Sequence, residues 1–483
     1  MSEKKTVSIS KNYLYNSLYQ ALALGIPLIT TPYASRMFGP EGIGVQSYVN
    51  SVASFFSLFA ALGVASYGQR EIARHRDSQE KIKKLFWEIE LLCLMTTTIC
   101  LVVWFFVAYF ERDYTEYFLA TSFTVLAVAF DITWFFAGLE EFRFIVLRNS
   151  IVKVIGVILL FVAVQEANDL LLYMGLFSAI GLVGNISMWT YLPKVLGKSK
   201  CGKLKPFRHL RETLVYFVPT IASSMYTVLD KTMLRILTGG TLENGFYEET
   251  TKIIRMVQVL LLSINTVMSS RMSYLFAQEK YEEIKQRLEQ SISFILLLGV
   301  PFTMGIMGIA KNFVPWFFGA GFDAVIPLLW IYSPLLIVVG ISNCLGTQYL
   351  TPSGQRGRSS KGIIAGAVVN FCLNLMMIPM AGALGATVAS VLAEVLIAAV
   401  YIYMSKEYVS IRILWKHLYK RVFAGMIMLG SVLLLQLLPI RGVALTILQI
   451  FLGAIIYFIL LIALKDDMIL EGIEKVASKL EGR

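Results

Sequence analysis

Along the chain, long apolar stretches alternate with short polar intervals from the first fifty residues to the last fifty. About 20 mainly apolar residues are needed for a helix to cross ~30 Å of hydrocarbon. Fourteen stretches meet that need: 13–33, 43–66, 85–110, 117–138, 144–164, 170–191, 214–238, 245–270, 292–309, 324–350, 363–380, 384–404, 422–438 and 443–464. The second and eighth are interrupted by polar residues and define their ends least sharply. No polar interval is long enough for a soluble domain, so the pattern predicts an all-α polytopic membrane protein with 14 transmembrane helices.

The polar positions test that count, because Lys and Arg accumulate in cytoplasmic loops. Of 43 basic residues, 34 fall in the two tails and the even-numbered loops, counting Arg148 at the edge of the fifth span with its loop. Only Arg36, Arg112, Lys311 and Arg441 fall in the odd-numbered loops, and five more lie inside spans. One missed or invented span would mix the two sets. Both termini are therefore expected on the cytoplasmic side. The net charge of +11 follows from this orientation, and no nucleic-acid partner is needed to explain it. The polar start runs into a full-length span without a small-residue cleavage pattern, so no removable signal is expected.

An internal repeat adds architecture. "SRMFGPEGIGVQSY" joins the first two spans, and "LRILTGGTLENGFYEET" joins the seventh and eighth. Each has an Arg closing one span, a Gly-containing outer turn and an aromatic residue opening the next. Parallel repeats of this kind predict two six-helix bundles around a central cavity. The expected division is 1–193 for the first bundle, 194–213 for a basic cytoplasmic linker, and 214–406 for the second bundle. Residues 407–483 would add two helices and a tail.

Composition narrows the chemistry. Charged residues make up 16% and hydrophobic ones 57%, against about a quarter charged in soluble domains. Five cysteines form no CxxC pair, and the three histidines fall in basic polar intervals, so no metal site or cofactor is expected. "GKSK" at Gly197 lacks the glycine of a phosphate-cradling loop, and "GPEGIG" has the wrong spacing for a dinucleotide fingerprint. Short outer loops leave no room for a catalytic domain. Transport leads, ahead of a membrane glycosyltransferase, a polymerase or a scaffold.

Charges inside spans then become informative, since they tend to face a bundle interior or wet cavity. In "TVLDKTMLRILTGG", Lys231 and Arg235 stand i, i+4 on one helical face, with Asp230 about 100° away. In the next span, Glu248, Lys252 and Arg255 share a face. Two readings stand: ion pairs clipping a helical hairpin, or a cationic cavity for an anionic substrate. Lys153 and Asp131 lie at similar depth in adjacent spans and suit either a neutralising pair or a polar site. Glu394 sits mid-span, either hydrogen-bonded to Asn370 and Asn374 or binding a coupling cation, Na+ or H+. Pro27 and Pro32 predict a bent first helix.

"YNSLYQALALGIPLITTPYASRMFGPEGIGVQSY", followed by "GVASYGQREIARHRD", resembles the start of bacterial polysaccharide flippases of the O-antigen, capsule or teichoic type. "DITWFFAGLEEFRFIVLRNSIVKVI" and "VVNFCLNLMMIPMAGALGATVASVLAE" resemble two further stretches of that family, which belongs to the multidrug/oligosaccharidyl-lipid/polysaccharide exporter (MATE-like) superfamily. The resemblance implies two six-helix bundles in a V shape with two extra helices. It also implies movement of an undecaprenyl-diphosphate-linked oligosaccharide between leaflets, membrane lipids and other polysaccharide assembly proteins being the remaining expected partners. Arg36, Lys153, Lys231, Arg235, Lys252 and Arg255 are then the expected substrate-binding cations. Asp131, Asp230, Glu394, Asn370 and Asn374 are the expected pairing or coupling residues. Span one carries no basic residue between Lys11 and Arg36, unlike some lipid-linked-precursor flippases, which argues against the peptidoglycan precursor as cargo. The alternative within the superfamily is a multidrug or cation antiporter, which would want an acidic interior.

Overall fold

The computed structural model describes residues 9–197 and 202–481, and every regular element among them is helical. Lys4 and Lys5 of the N-terminal tail, and Lys198, Lys200 and Cys201 of the linker, lie outside the described residues. Among the described residues, eleven helices are long and apolar enough to cross a membrane. Phe106, Phe110, Val162, Leu437 and Phe451 are each more than 60% exposed. Apolar surface on this scale needs a lipid neighbour rather than water.

The chain divides into two compact units, Met1–Thr232 and Met233–Arg483. The first contains α1 (Ile9–Ala61), α2 (Val64–His75), α3 (Gln79–Phe110), α4 (Thr115–Leu126), α5 (Thr133–Gly138), α6 (Phe142–Ala163), α7 (Leu170–Met188), α8 (Leu192–Leu196) and most of α9 (Leu210–Thr238). The second contains α10 (Leu242–Ala277), α11 (Tyr281–Phe318), α12 (Val325–Tyr332), α13 (Leu335–Cys344), a π-helical turn (Leu345–Leu350), α14 (Arg356–Met404), α15 (Ile411–Leu434), α16 (Gly442–Ala463) and α17 (Asp467–Glu481).

Breaks within the long helices have local causes. Inside α1, Gly39 takes φ 65°, a left-handed conformation that costs glycine no Cβ clash. Pro40 follows with its φ already set for a new first turn. The "GPEGIG" motif is thus a kink between two helical segments. In α14, Ala381 and Gly382 are non-helical, and Gly382 has φ 53°. A Cβ on Gly382 would stand 2.5 Å from the Glu243 carboxylate. That carboxylate accepts the Ala383 N–H at 2.7 Å and so caps the second half of α14. Between α12 and α13, Pro334 removes a backbone donor, and the Ser333 hydroxyl donates to the Trp330 carbonyl in its place at 3.4 Å.

Each unit has its own core. The first is aromatic: Phe86, Trp134, Phe135 and Phe136 are buried together with Met188 and Leu192. In the second, Val300, Met428, Val432, Tyr457 and Leu461 seal α15 and α16 against α11. Arg421 fastens that contact, since its side chain is fully buried. It donates to both Asp466 oxygens at 3.0 Å and to the Ser293 hydroxyl at 2.9 Å.

Candidate substrate and coupling sites

The apolar run of α9 ends in a charged segment, Asp230 to Arg235. Asp230 is buried at 1% exposure, while Lys231 and Arg235 are half-buried. The helix is continuous through this segment, so the i, i+4 spacing does place Lys231 and Arg235 on one face. One turn before Arg235, the Thr232 hydroxyl lies 2.8 Å from that of Ser51 on α1. Arg36, on the segment of α1 before the kink, is exposed.

In α10 the charges are arranged differently from the sequence pattern. Lys252 donates to Glu249, i, i+3, at 2.9 Å, whereas Glu248 stands 4.0 Å away. Glu249 is fully buried, so the pair neutralises a carboxylate that could not remain charged alone. Arg255 is exposed further along the same helix. Lys252 thus has a local structural role in α10.

In the first unit, Asp131 interrupts the fourth predicted span. Its carboxylate accepts the Thr133 N–H at 3.0 Å and starts α5. Its ion pair is with Arg148, at 3.9 Å. Lys153 lies farther along α6 and is half-buried.

The second unit brings together a chain of neutral polar side chains. Asn374 donates to Asn370 at 3.2 Å, and Asn370 donates to the Ser390 hydroxyl at 3.4 Å. Tyr247 of α10 hydrogen-bonds with that hydroxyl at 3.1 Å. Glu394 lies one turn beyond Ser390 and is 5% exposed. The chain crosses the Gly382 break, so both halves of α14 and α10 meet at one polar centre. Among the described residues, no group of three or more His, Cys, Asp or Glu is placed to hold a metal ion.

One cluster was not anticipated from sequence. Glu88 on α3 is fully buried. It accepts the Lys205 N–H at 2.9 Å and pairs with Arg208 at 2.7 Å and His209 at 3.1 Å. Tyr67 of α2 closes the other side, its hydroxyl 2.6 Å from His209 Nδ1. His209 is 3% exposed and His417 9%, so neither is the solvated loop residue the sequence suggests. Burial holds the His209 imidazole below its ordinary pKa, against the raising effect of its Glu88 hydrogen bond. The one available sequence signal was Glu88 at the start of an apolar run, i+4 from Lys84.

A family model described as polysaccharide biosynthesis protein matches residues 9–276. A putative O-antigen transporter of Escherichia coli (strain K12) is 22% identical over 398 residues, covering 81% of this chain and 95% of that protein. Another, from Shigella dysenteriae, is 26% identical over 395 residues, covering 80% and 98%. Among solved structures, the lipid II flippase MurJ in an inward closed conformation superposes with a TM-score of 0.71 at 16% identity, covering 95% of this chain and 99% of that one. An inward-facing multidrug resistance MATE family transporter of the MOP superfamily gives 0.60 at 14% identity, covering 86% and 94%. These likenesses establish a shared fold.

Proposed function

The chain belongs to the polysaccharide biosynthesis protein family, and from that premise we propose that it is a flippase for lipid-linked oligosaccharides. Its cargo is an undecaprenyl-diphosphate-linked repeat unit, moved from the cytoplasmic to the outer leaflet by alternating access. The observation that carries this reading is similarity to O-antigen transporters across four-fifths of the chain, in the same order throughout. No enzymatic step is involved.

Fourteen crossings are supported by the breaks. The merged helix 25–75 divides at Gly39, Arg356–Met404 divides at Ala381–Gly382, and α9 adds one more to the eleven. The division into two compact units supports a two-bundle transporter in the V shape of its superfamily, with α15 and α16 as the appended pair. Both termini are cytoplasmic, in a bacterial cytoplasmic membrane, as the distribution of Lys and Arg supports.

Lys231, Arg235 and Arg255 attract the diphosphate, with Arg36 at the outer rim and Lys153 in the first bundle. A low local dielectric makes each charge count for more than it would in water. Glu394, with Asn370 and Asn374, couples the step to a sodium or proton gradient, because one buried acid beside amides can exchange a cation without leaving a second charge exposed, and Asp230 acts as a local pairing residue. Other polysaccharide assembly proteins supply the repeat unit and consume it.

The test is deletion of the gene followed by extraction of lipid-linked oligosaccharides. A complete repeat unit accumulating in the inner leaflet supports the reading; an unchanged lipid-linked pool overturns it. In the complemented strain, Lys231→Ala with Arg235→Ala abolishes surface polysaccharide at normal protein level. Normal polysaccharide in that strain removes the cavity role from these two residues.

A further inference from the structure

On the cytoplasmic side of the first unit, three elements enclose a cleft of about 480 Å³. Helical spacing builds two of its walls. Tyr67, Glu71 and His75 recur i, i+4, i+8 on α2, and Lys81, Lys84 and Leu85 lie i, i+3, i+4 on α3. Arg208 and His209 form the third wall.

The charge of this cleft is unbalanced. Its one acidic lining residue, Glu71, already holds Arg70 at 2.9 Å and Arg74 at 3.4 Å. Arg208 reaches Glu88 beneath the wall at 2.7 Å, yet its side chain stays 48% exposed. Lys81 and Lys84 have no acidic partner among the described residues. Every lining residue but Leu85 carries a polar or ionisable group, five of them basic or imidazole side chains besides Glu71 and Tyr67, so the cleft offers donors to a polar group. Two ammonium groups beside a guanidinium match a tetrahedral polyanion with several acceptor oxygens.

We propose that this cleft is a binding site for a phosphate-bearing anion, with Lys81, Lys84 and Arg208 as its ligands. The Glu88 cluster is its rigid floor: it holds Arg208 at the correct height while occupying only part of its donor set. The site takes no lining residue from α9 or α10, and it does not depend on the transport reading. The ligand chemistry is a phosphate or diphosphate, carried either on a lipid headgroup or on a soluble molecule.

The test uses the full-length protein in nanodiscs of zwitterionic lipid, titrated with inorganic diphosphate by calorimetry. Saturable binding is expected. Lys81→Gln with Lys84→Gln weakens it about tenfold or more, since each charge-assisted contact contributes roughly 1.5–3 kcal/mol. Lys81→Arg with Lys84→Arg retains it, and Arg356→Gln with Arg358→Gln, in another cytoplasmic interval, leaves it unchanged. A parallel arm adds an anionic phospholipid to the nanodisc. Competition with diphosphate, together with lipid retained by the native protein and lost from the double Gln variant in native mass spectrometry, assigns a headgroup. Undiminished diphosphate binding assigns a soluble ligand. No diphosphate binding and no retained lipid, or binding equal in native and double Gln proteins, overturns the proposal.

Discussion

Of the buried glutamates, Glu88 in the first unit and Glu394 in the second have different surroundings. Glu88 of the first unit is met by an arginine, a histidine and a backbone N–H, which satisfy its charge and hold the chain entering α9 against α3. Glu394 of the second unit lies beside a chain of amides and hydroxyls running through Asn374, Asn370, Ser390 and Tyr247. A carboxylate held by a guanidinium, an imidazole and a backbone N–H behaves as a clamp, because changing its protonation strands its partners. Under the proposed coupling, a carboxylate beside such dipoles gains or loses a cation at smaller cost than a clamped one.

The largest effect expected from breaking this contrast is on the clamp. Glu88→Ala should destabilise the first unit by about 2–3 kcal/mol, less than a fully buried pair would because Arg208 can turn towards water. Thermal unfolding of the purified protein measures this, and limited proteolysis should show new cleavage between Gly202 and His209. An unchanged midpoint would mean that Glu88 is no clamp. Glu394→Gln should do the reverse, changing stability by no more than about 1 kcal/mol while removing the dependence of transport on a sodium or proton gradient. If that variant unfolds and its folded fraction still responds to the gradient, the two glutamates belong to one structural class.

The smallest effect is on pH. The His209 pKa is lowered in the folded protein, chiefly by burial, so the native state binds its proton less readily than the unfolded chain. The stability from neutral His209 is then fully present above about pH 6.5 and is lost as pH falls towards the folded value. Melting midpoints compared between about pH 7.5 and pH 5.5 should drop more for the native protein than for His209→Asn. Equal slopes would show that the imidazole is already charged in the clamp.

Much of this architecture could be read before folding. Apolar runs located the helices, and the α10 segment, doubtful in sequence for its polar interruptions, is one continuous helix of 36 residues. Harder to read were the partners of charges. Lys252 chose Glu249 over Glu248 because Glu249 faces the interior and has no water to stabilise it. Asp131 pairs with Arg148, four residues inside the next predicted span. Arg421 counted as a loop cation, yet it is buried between Asp466 and Ser293, residues remote in sequence.

By itself the sequence determined that the chain spans a membrane as helices, and its basic loops set the expectation of which side faces the cytoplasm. Both follow from transfer between water and hydrocarbon, which each segment undergoes largely alone. The tertiary structure decided which charges are satisfied and which remain to bind something. That depends on the third and fourth neighbours of a buried group, drawn from helices far apart in the chain. The cost of burying a charge is set by those neighbours, and only folding assembles them.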